Sequence, residues 1–282
     1  MKLKAEPLVP RAPSDLFAPI LSSDAFMGSL LLVGRLLTIP IFALQILNTP
    51  HTGALMYAAI AVQIAGLILI TFGFQTRLGA LLLAAFCASA ALRLPGSTKF
   101  AGLLTSHWDK NLAVLGLLLF MFAYGPGRLS LDSLLGRGKP GNTRNGLFSS
   151  ILENTAVMGL LLFLGRMLSV VIFLRAGTNK VVRTAVMQAY MVKHNSHVPT
   201  NLIYLAILVQ ILCPTLVVLG YKTRWGATLL GGFTIIAGTL FHNQYGDLGE
   251  LSHLFLDLAT TGGFMFMFAY GPGRFSVDAK LK

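Results

Sequence analysis

The chain has 282 residues, of which 55% are hydrophobic and 11% are charged. Soluble domains carry about 25% charged residues, so this composition excludes an ordinary soluble protein and indicates an integral membrane protein. The net charge of +12 is interpreted as orientation signals and lipid-headgroup contacts rather than a nucleic-acid surface, because basic residues stand in short connections between apolar runs. The predicted partner is therefore the lipid bilayer, and no nucleic acid is expected.

The N-terminal segment, residues 1–26, is predicted to be cytoplasmic and not a signal peptide. It carries basic residues and prolines, but no compact apolar core before a small-residue cleavage site.

Apolar runs follow in chain order, and each is close to the roughly 20 residues that a membrane-crossing helix needs. Eight spans are predicted: Met27–Leu47, Ala54–Phe74, Leu78–Leu94, Ser106–Tyr124, Thr155–Leu174, Asn201–Leu219, Trp225–Phe241 and Ser252–Tyr270. A basic, glycine-containing cytoplasmic linker at 136–154 separates a first four-helix repeat at 27–135 from a second at 155–282.

One stretch occurs twice and indicates a tandem duplication. Tyr124-Gly-Pro-Gly-Arg128 is followed by Leu-Ser-Leu-Asp, and Tyr270-Gly-Pro-Gly-Arg274 by Phe-Ser-Val-Asp. The glycine can take a left-handed conformation and the proline forbids further helix, so the motif predicts a helix stop. Further pairs align between the halves: Gly34-Arg35 with Gly165-Arg166, Gln63 with Gln210, Thr76-Arg77 with Thr223-Arg224, and His107 with His253. The predicted fold is all-α, with two parallel four-helix transmembrane repeats.

Basic residues are unevenly divided between the two predicted sides. Thirteen fall on the side of the termini and the linker, and seven on the other side. This asymmetry places both termini in the cytoplasm of a bacterial-type inner membrane.

The second half has an extra segment after its first span, Ala176 to Thr200. Apolar residues recur there at helical spacing, with Lys180, Arg183 and Gln188 on the other side. The pattern predicts a short amphipathic helix on the outer membrane surface, where it would cover a cleft like a lid.

Several motifs of the second half resemble the DoxX family of four-helix membrane proteins. They are Gly165-Arg166, Gly177-x-x-Lys180, Gly220-Tyr-Lys-Thr-Arg224, Phe241-His242-Asn243 and Gly271-Pro-Gly-Arg274. The first half departs from the pattern, since it lacks Gly-x-x-Lys and Phe-His-Asn. Family members are similar to the small subunit of a thiosulfate:quinone oxidoreductase, and the resemblance implies that Lys180, His242 and Asn243 contribute to a cofactor site.

Charged residues within the predicted spans are the first group of candidate functional residues. Arg166 and Asp257 are predicted at similar depths and are expected to contact each other directly or through water, because buried charges in lipid are normally paired. Arg35 and Asn111 are the aligned residues of the first half. One reading is a structural clamp between the first and fourth helices of each repeat. The other is a quinone site, in which Arg166 and His253 hydrogen-bond the carbonyl oxygens and Asp257 relays protons.

Histidines are the second group of candidate functional residues, since all six fall on the predicted outer side. His253 and Asp257 are four residues apart and share a helix face. His194 and His197 form a possible metal pair, although no tight ligand motif occurs. Catalytic candidates are therefore Arg166, His253 and Asp257, and the predicted cofactor is a quinone or a metal.

Two functions remain open on this evidence. The first is a membrane subunit or accessory of a redox system that contacts quinone and works with partner proteins, as part of an oxidoreductase. The alternative is a carrier for a small solute or metal, with its substrate at the interface of the two repeats.

Overall fold

The computed structural model describes residues 17–48, 53–92, 108–136, 148–194, 197–242 and 245–281. Every regular element within these ranges is an α-helix, as predicted. The first half contains α1 (Ala18–Leu21), α2 (Asp24–Leu36), α3 (Ile39–Asn48), α4 (Ala54–Phe72), α5 (Thr76–Ala91), α6 (Trp108–Tyr124) and α7 (Leu131–Leu134). The second contains α8 (Ser149–Glu153), α9 (Thr155–Val182), α10 (Thr184–His194), α11 (Leu202–Leu219), α12 (Thr223–Phe241), α13 (Leu248–Tyr270) and α14 (Val277–Lys280).

Four helical segments of the described chain are long and apolar enough to cross a membrane: Asp24–Asn48, Thr155–Val182, Leu202–Leu219 and Leu248–Tyr270. Three shorter apolar helices accompany them, at Met56–Phe72, Thr76–Ala91 and Asn111–Tyr124. The chain is therefore a multi-pass membrane protein. Length and composition support four of the eight predicted spans. The predicted span at Trp225–Phe241 lies within α12, whose repeated glycine and threonine residues dilute its apolar character.

The first predicted span is interrupted in the structure. Leu37 and Thr38 separate α2 from α3, and Pro40 follows two residues later. Pro40 has no N–H to donate to the carbonyl of Leu36, and its ring crowds that carbonyl, so a continuous helix is disfavoured. The Thr38 hydroxyl donates instead to the Arg35 carbonyl at 2.6 Å.

The first helix of the second half runs further than predicted. It continues past Leu174 to Val182, so the first residues of the predicted surface segment belong to α9. The separate helix is α10, which has no buried residue among those with described side chains. A short helix outside the packed core is therefore present, but it begins at Thr184 rather than near Ala176.

The helices of the two halves pack together in one assembly, here called the helix ring, instead of two separate bundles. α2 packs on α13 of the other half, α9 packs on α6 of the other half, and α6 and α13 meet each other. We call these three contacts the seam. A Cβ added at Gly34 would stand 2.8 Å from the carbonyl oxygen of Gly262, and one at Gly116 would stand 2.5 Å from that of Gly165. Close backbone approach at these glycines therefore lets the halves interlock.

Both repeated glycine motifs end a helix, as predicted. α6 ends before Gly125 and α13 before Gly271, and the two glycines have φ of +79° and +77°. The ψ of Gly271 is −169°, so this residue lies outside the left-handed helical region that the motif predicted. We call the end of the ring with these motifs the Pro-Gly end, and the opposite end, with His242 and His253, the histidine end.

Candidate functional site

Arg166 is fully buried and points towards the Pro-Gly end. Its Nη1 donates to the carbonyls of Val217 at 3.3 Å and Val218 at 3.4 Å, and its Nη2 donates to the carbonyl of Phe275. The guanidinium thus ties α9 to the last turn of α11 and to the loop after α13. Gly220 leaves the room for it, because a Cβ at that position would collide with Nη1.

Arg35 makes the same contacts in the first half. It is also fully buried, and it donates from Nη1 to the carbonyl of Ile70 at 3.3 Å and from Nη2 to the carbonyl of Leu129. Helix C-terminal carbonyls lack intrahelical partners, so a buried guanidinium finds acceptors there without any carboxylate. The sequence predicted a clamp between the first and fourth helices of each repeat. In the structure each arginine instead joins its helix to the end of the next long helix and to the loop after the last long helix, and its partners are backbone carbonyls.

Two aspartates complete these clamps. Asp278 accepts the N–H of Lys222 at 2.8 Å and that of Thr223 at 3.2 Å, which satisfies the first N–H groups of α12. Asp132 accepts the N–H of Gln75 at 3.0 Å and that of Thr76 at 3.4 Å in the same way. The aspartate that ends each repeated motif is therefore a long-range helix cap.

The predicted contact between Arg166 and Asp257 is wrong. A helical side chain leans towards the N-terminus of its own helix. α9 begins at the Pro-Gly end and α13 begins at the histidine end, so the two side chains diverge even though their backbones reach similar depths. The depths estimated from residue counts took no account of the direction in which each side chain leans along its helix.

A polar cluster instead occupies the histidine end of the second half. His242 caps the C-terminus of α12, and its Nδ1 lies 2.6 Å from Glu250 Oε2. Its Nε2 lies 4.0 Å from Asp257 Oδ2. The ring of His253 lies 5.0 Å from that of His242, centroid to centroid. We call His242, Glu250, His253 and Asp257 the histidine cluster. The side chains of His242, Glu250 and Asp257 are 21%, 22% and 19% exposed, so they are only partly desolvated.

Three of these four residues lie on one face of α13 because of their spacing in the sequence. Glu250, His253 and Asp257 are spaced by three and four residues, the interval that aligns side chains along a helix. Asp247 fixes the start of the helix, because its carboxylate accepts the N–H of Gly249 at 2.6 Å and that of Glu250 at 3.3 Å. On the facing helix, Gly238 leaves space for Asp257, whose Oδ2 would lie 3.0 Å from a Cβ there.

Helix α10 approaches this cluster from outside the ring. The Tyr190 ring lies 6.5 Å from that of Phe241, the residue before His242. Burial raises the pKa of Tyr190, and the nearby Glu250 carboxylate adds to the effect. Helix α10, the predicted lid, therefore lies beside the histidine cluster and approaches it through Tyr190.

The other predicted site residues are not joined to the cluster by the described contacts. Lys180 is partly buried in the last turn of α9, and its ammonium group makes no hydrogen bond or ion pair with any described residue. Asn243 and His107 lie outside the described residues, as does the side chain of His194, while His197 is exposed. No group of three or more metal-ligand side chains suited to an ion occurs in the described ranges.

The sequence of this chain is similar to those of known membrane proteins. A family model described as DoxX matches residues 161–243, which include Arg166, Lys180 and His242. The chain is also 31% identical over 131 residues to the inner membrane protein YqjF of Escherichia coli (strain K12), a match that covers 46% of this chain and 95% of that relative. The chain belongs to the DoxX family. No solved structure matches it.

Sequence reasoning missed two of the residues that matter most in this DoxX protein. No sequence motif drew attention to Glu250, although its spacing of three residues from His253 was a usable signal. Asp278 was seen only as part of a repeated motif. Its role as a cap for α12 joins residues 55 and 56 positions apart, and nothing local in the sequence indicates that.

Proposed function

We propose that this DoxX protein is an inner-membrane subunit of a quinone-linked redox system, and that the histidine cluster is its proton-handling site. The observation that supports the proposal is His242 between two carboxylates, Glu250 at 2.6 Å and Asp257 at 4.0 Å, at the end of an apolar helix ring. The inner membrane is inferred from the YqjF relative, whose name gives that location.

The chemistry of the cluster suits a quinone headgroup. A quinone bound there would supply two-electron chemistry, taking two electrons from a redox partner protein and two protons in becoming a quinol. Imidazoles donate hydrogen bonds to carbonyl oxygens and exchange protons near neutral pH. His253 is assigned to hold a carbonyl oxygen, and His242 to pass a proton between that oxygen and the Glu250 and Asp257 carboxylates.

Arg166 is not part of the proposed quinone site. Its Nη1 and Nη2 donate to carbonyls at the other end of the ring. Lys180 remains a candidate headgroup ligand on different grounds, because it is partly buried and has no described polar partner.

The carrier alternative finds less support at the seam. The alternative placed a substrate at the interface of the two repeats. A Cβ at Gly34 would lie 2.8 Å from the carbonyl oxygen of Gly262 and one at Gly116 would lie 2.5 Å from that of Gly165, so the backbones leave little room at these crossings.

Quinone retention tests the redox proposal. The full-length protein is purified in mild detergent and bound quinone is extracted and quantified by mass spectrometry. We expect wild type to retain quinone and His253→Ala to retain about two- to tenfold less, since a lost hydrogen bond is worth about 0.5–1.5 kcal/mol.

His107→Ala is the matched control, because His107 aligns with His253 in the first half. It should retain quinone like wild type. Wild type without quinone, or an equal loss in the two variants, would contradict the proposed site.

We further propose that the Pro-Gly end faces the cytoplasm, on the basis of the excess of basic residues on that side. Alkaline phosphatase fused after Arg144 should then be inactive, and fused after Lys193 it should be active. The reverse pattern of activity would invert the orientation.

A further inference from the structure

Two stacked tyrosines lie on the seam at the Pro-Gly end. Tyr124 ends α6 and Tyr270 ends α13, and their rings are 4.0 Å apart between centroids with planes 7° from parallel. Each half contributes one ring, and both residues are partly exposed. The described residues therefore do not fully enclose the pair.

One arginine from each half approaches these tyrosines. Arg77, at the start of α5, interacts electrostatically with Tyr270, and Arg224, at the start of α12, interacts in the same way with Tyr124. The interactions cross the seam, because each arginine reaches the tyrosine of the other half. The two guanidinium groups therefore converge on the same stacked pair.

Glycines make room for both arginines. A Cβ at Gly125 would stand 3.6 Å from the guanidinium of Arg77, and one at Gly271 would stand 3.6 Å from that of Arg224. The repeated motif thus places a residue without a side chain beside each guanidinium. The Nε of Arg224 also donates to the carbonyl of Phe268 at 3.0 Å.

The positive charge here exceeds the negative charge. Arg77 makes no hydrogen bond with any described residue, and its Nε is buried without a partner. Asp132 is the acid that acts on Arg77 electrostatically, but its oxygens already accept the N–H groups of Gln75 and Thr76. Eight basic and four acidic residues are described at this end: Arg35, Arg77, Arg128, Arg166, Lys222, Arg224, Arg274 and Lys280, against Asp24, Asp132, Glu153 and Asp278.

The geometry selects among anions. A carboxylate offers two oxygens in one plane, which match a single guanidinium fork, whereas a phosphate group offers oxygens in several directions to two forks at once. Phenol hydroxyls add neutral donors. Aromatic residues at this end, including Trp225 packed against Phe17 with ring centroids 4.8 Å apart, are typical of the headgroup level of a bilayer.

We propose that Arg77 and Arg224, beside the stacked Tyr124–Tyr270 pair, form a binding site for a phosphate group at the seam. The group belongs either to an anionic lipid headgroup at the membrane surface or to a soluble phosphate compound. The site is separate from the histidine cluster, which lies at the other end of the ring.

Ligand-dependent thermal unfolding of the full-length protein in neutral detergent tests the site. Two probes are titrated separately: inorganic phosphate, and phosphatidylglycerol in mixed micelles with phosphatidylcholine alone as the reference. We expect a saturable rise in Tm, and at least about tenfold weaker binding in R77Q/R224Q, because each variant position loses a charge-assisted contact. A response to phosphate assigns a soluble source, and a response to phosphatidylglycerol alone assigns the lipid headgroup.

The matched control is R128Q/R274Q, which removes two exposed arginines from the same end. Arg128 pairs with Asp24 and Arg274 donates to Thr155, and this variant should bind like wild type within about twofold. No rise in Tm with either probe, or equal weakening in both double variants, would overturn the proposal.

If R77Q/R224Q does not elute as folded protein, R77K/R224K replaces it. Lysine keeps the charge but lacks the planar fork, so binding should still weaken several-fold. Wild-type affinity in the lysine variant would also overturn the proposal.

Discussion

At the scale of single residues, the two buried arginines show how a membrane protein satisfies a charge without a carboxylate contact. Arg166 and Arg35 each donate to carbonyls at a helix end and in the following loop. Several acceptors offset desolvation, although Nε of both residues has no partner in the described structure. This accounts for their presence in apolar helices better than an ion pair would.

The arrangement predicts that Arg166 and Asp257 are energetically independent. Arg166→Gln should lower the free energy of unfolding by about 2 kcal/mol or more, since it leaves buried carbonyls without donors. Asp257→Asn should have an additive effect, with a coupling energy within about 0.5 kcal/mol. Denaturation in mixed micelles of the two single variants and the double variant measures this.

A coupling above about 1 kcal/mol would show that the two residues act on each other, contrary to the structure. Arg35→Gln is the matched variant of the first half and should cost about as much as Arg166→Gln.

At the scale of elements, the interlocking depends on helix crossings where glycines meet. α2 crosses α13 at Gly34 and Gly262, and α9 crosses α6 at Gly165 and Gly116. Lipid tails are as apolar as side chains, so helices in a membrane associate through close packing rather than through the hydrophobic effect. Small residues at these crossings are therefore what holds the two halves together.

Gly262→Ala tests this element-level account. The added methyl would collide with the Gly34 carbonyl oxygen, and backbone cannot move aside as a flexible side chain can. We expect a loss of about 1–3 kcal/mol in unfolding free energy, the range for overpacking. In Gly231→Ala, the nearest atoms would be at an ordinary 3.7 Å, so stability should change little. Equal stability of the two variants would mean that α2 and α13 are not in close contact.

At the scale of the whole molecule, each half packs against helices of the other half. The first long helix of each half packs on the last long helix of the other half, α2 on α13 and α9 on α6. The tyrosines at the ends of α6 and α13 stack across the seam. The YqjF relative fits almost entirely within 131 residues of this chain. The contacts between the halves predict that each half needs the other for stable folding.

Cutting the chain in its linker tests this prediction. Residues 1–141 and 142–282, expressed together with a tag on only one fragment, should copurify from membranes, because α2 and α9 bind the opposite fragment. Each fragment expressed alone should accumulate less or aggregate. Two fragments that are separately stable and do not copurify would show that the halves are independent bundles.

The sequence by itself determined the membrane class, the helical fold, the DoxX resemblance and the two helix stops. These depend on composition, local periodicity and glycine–proline chemistry, which act over a few residues. It also brought His253 and Asp257 onto one face, since their spacing is a local property of a helix.

Only the tertiary structure decided which residues meet. The direction of the Arg166 side chain, the capping of α12 by Asp278 and the pairing of His242 with Glu250 depend on how helices from distant parts of the chain are oriented and packed. Similar depth in the membrane made Arg166 and Asp257 look like partners. The opposite directions of α9 and α13 separated them, because each helix carries its side chains towards its own N-terminus.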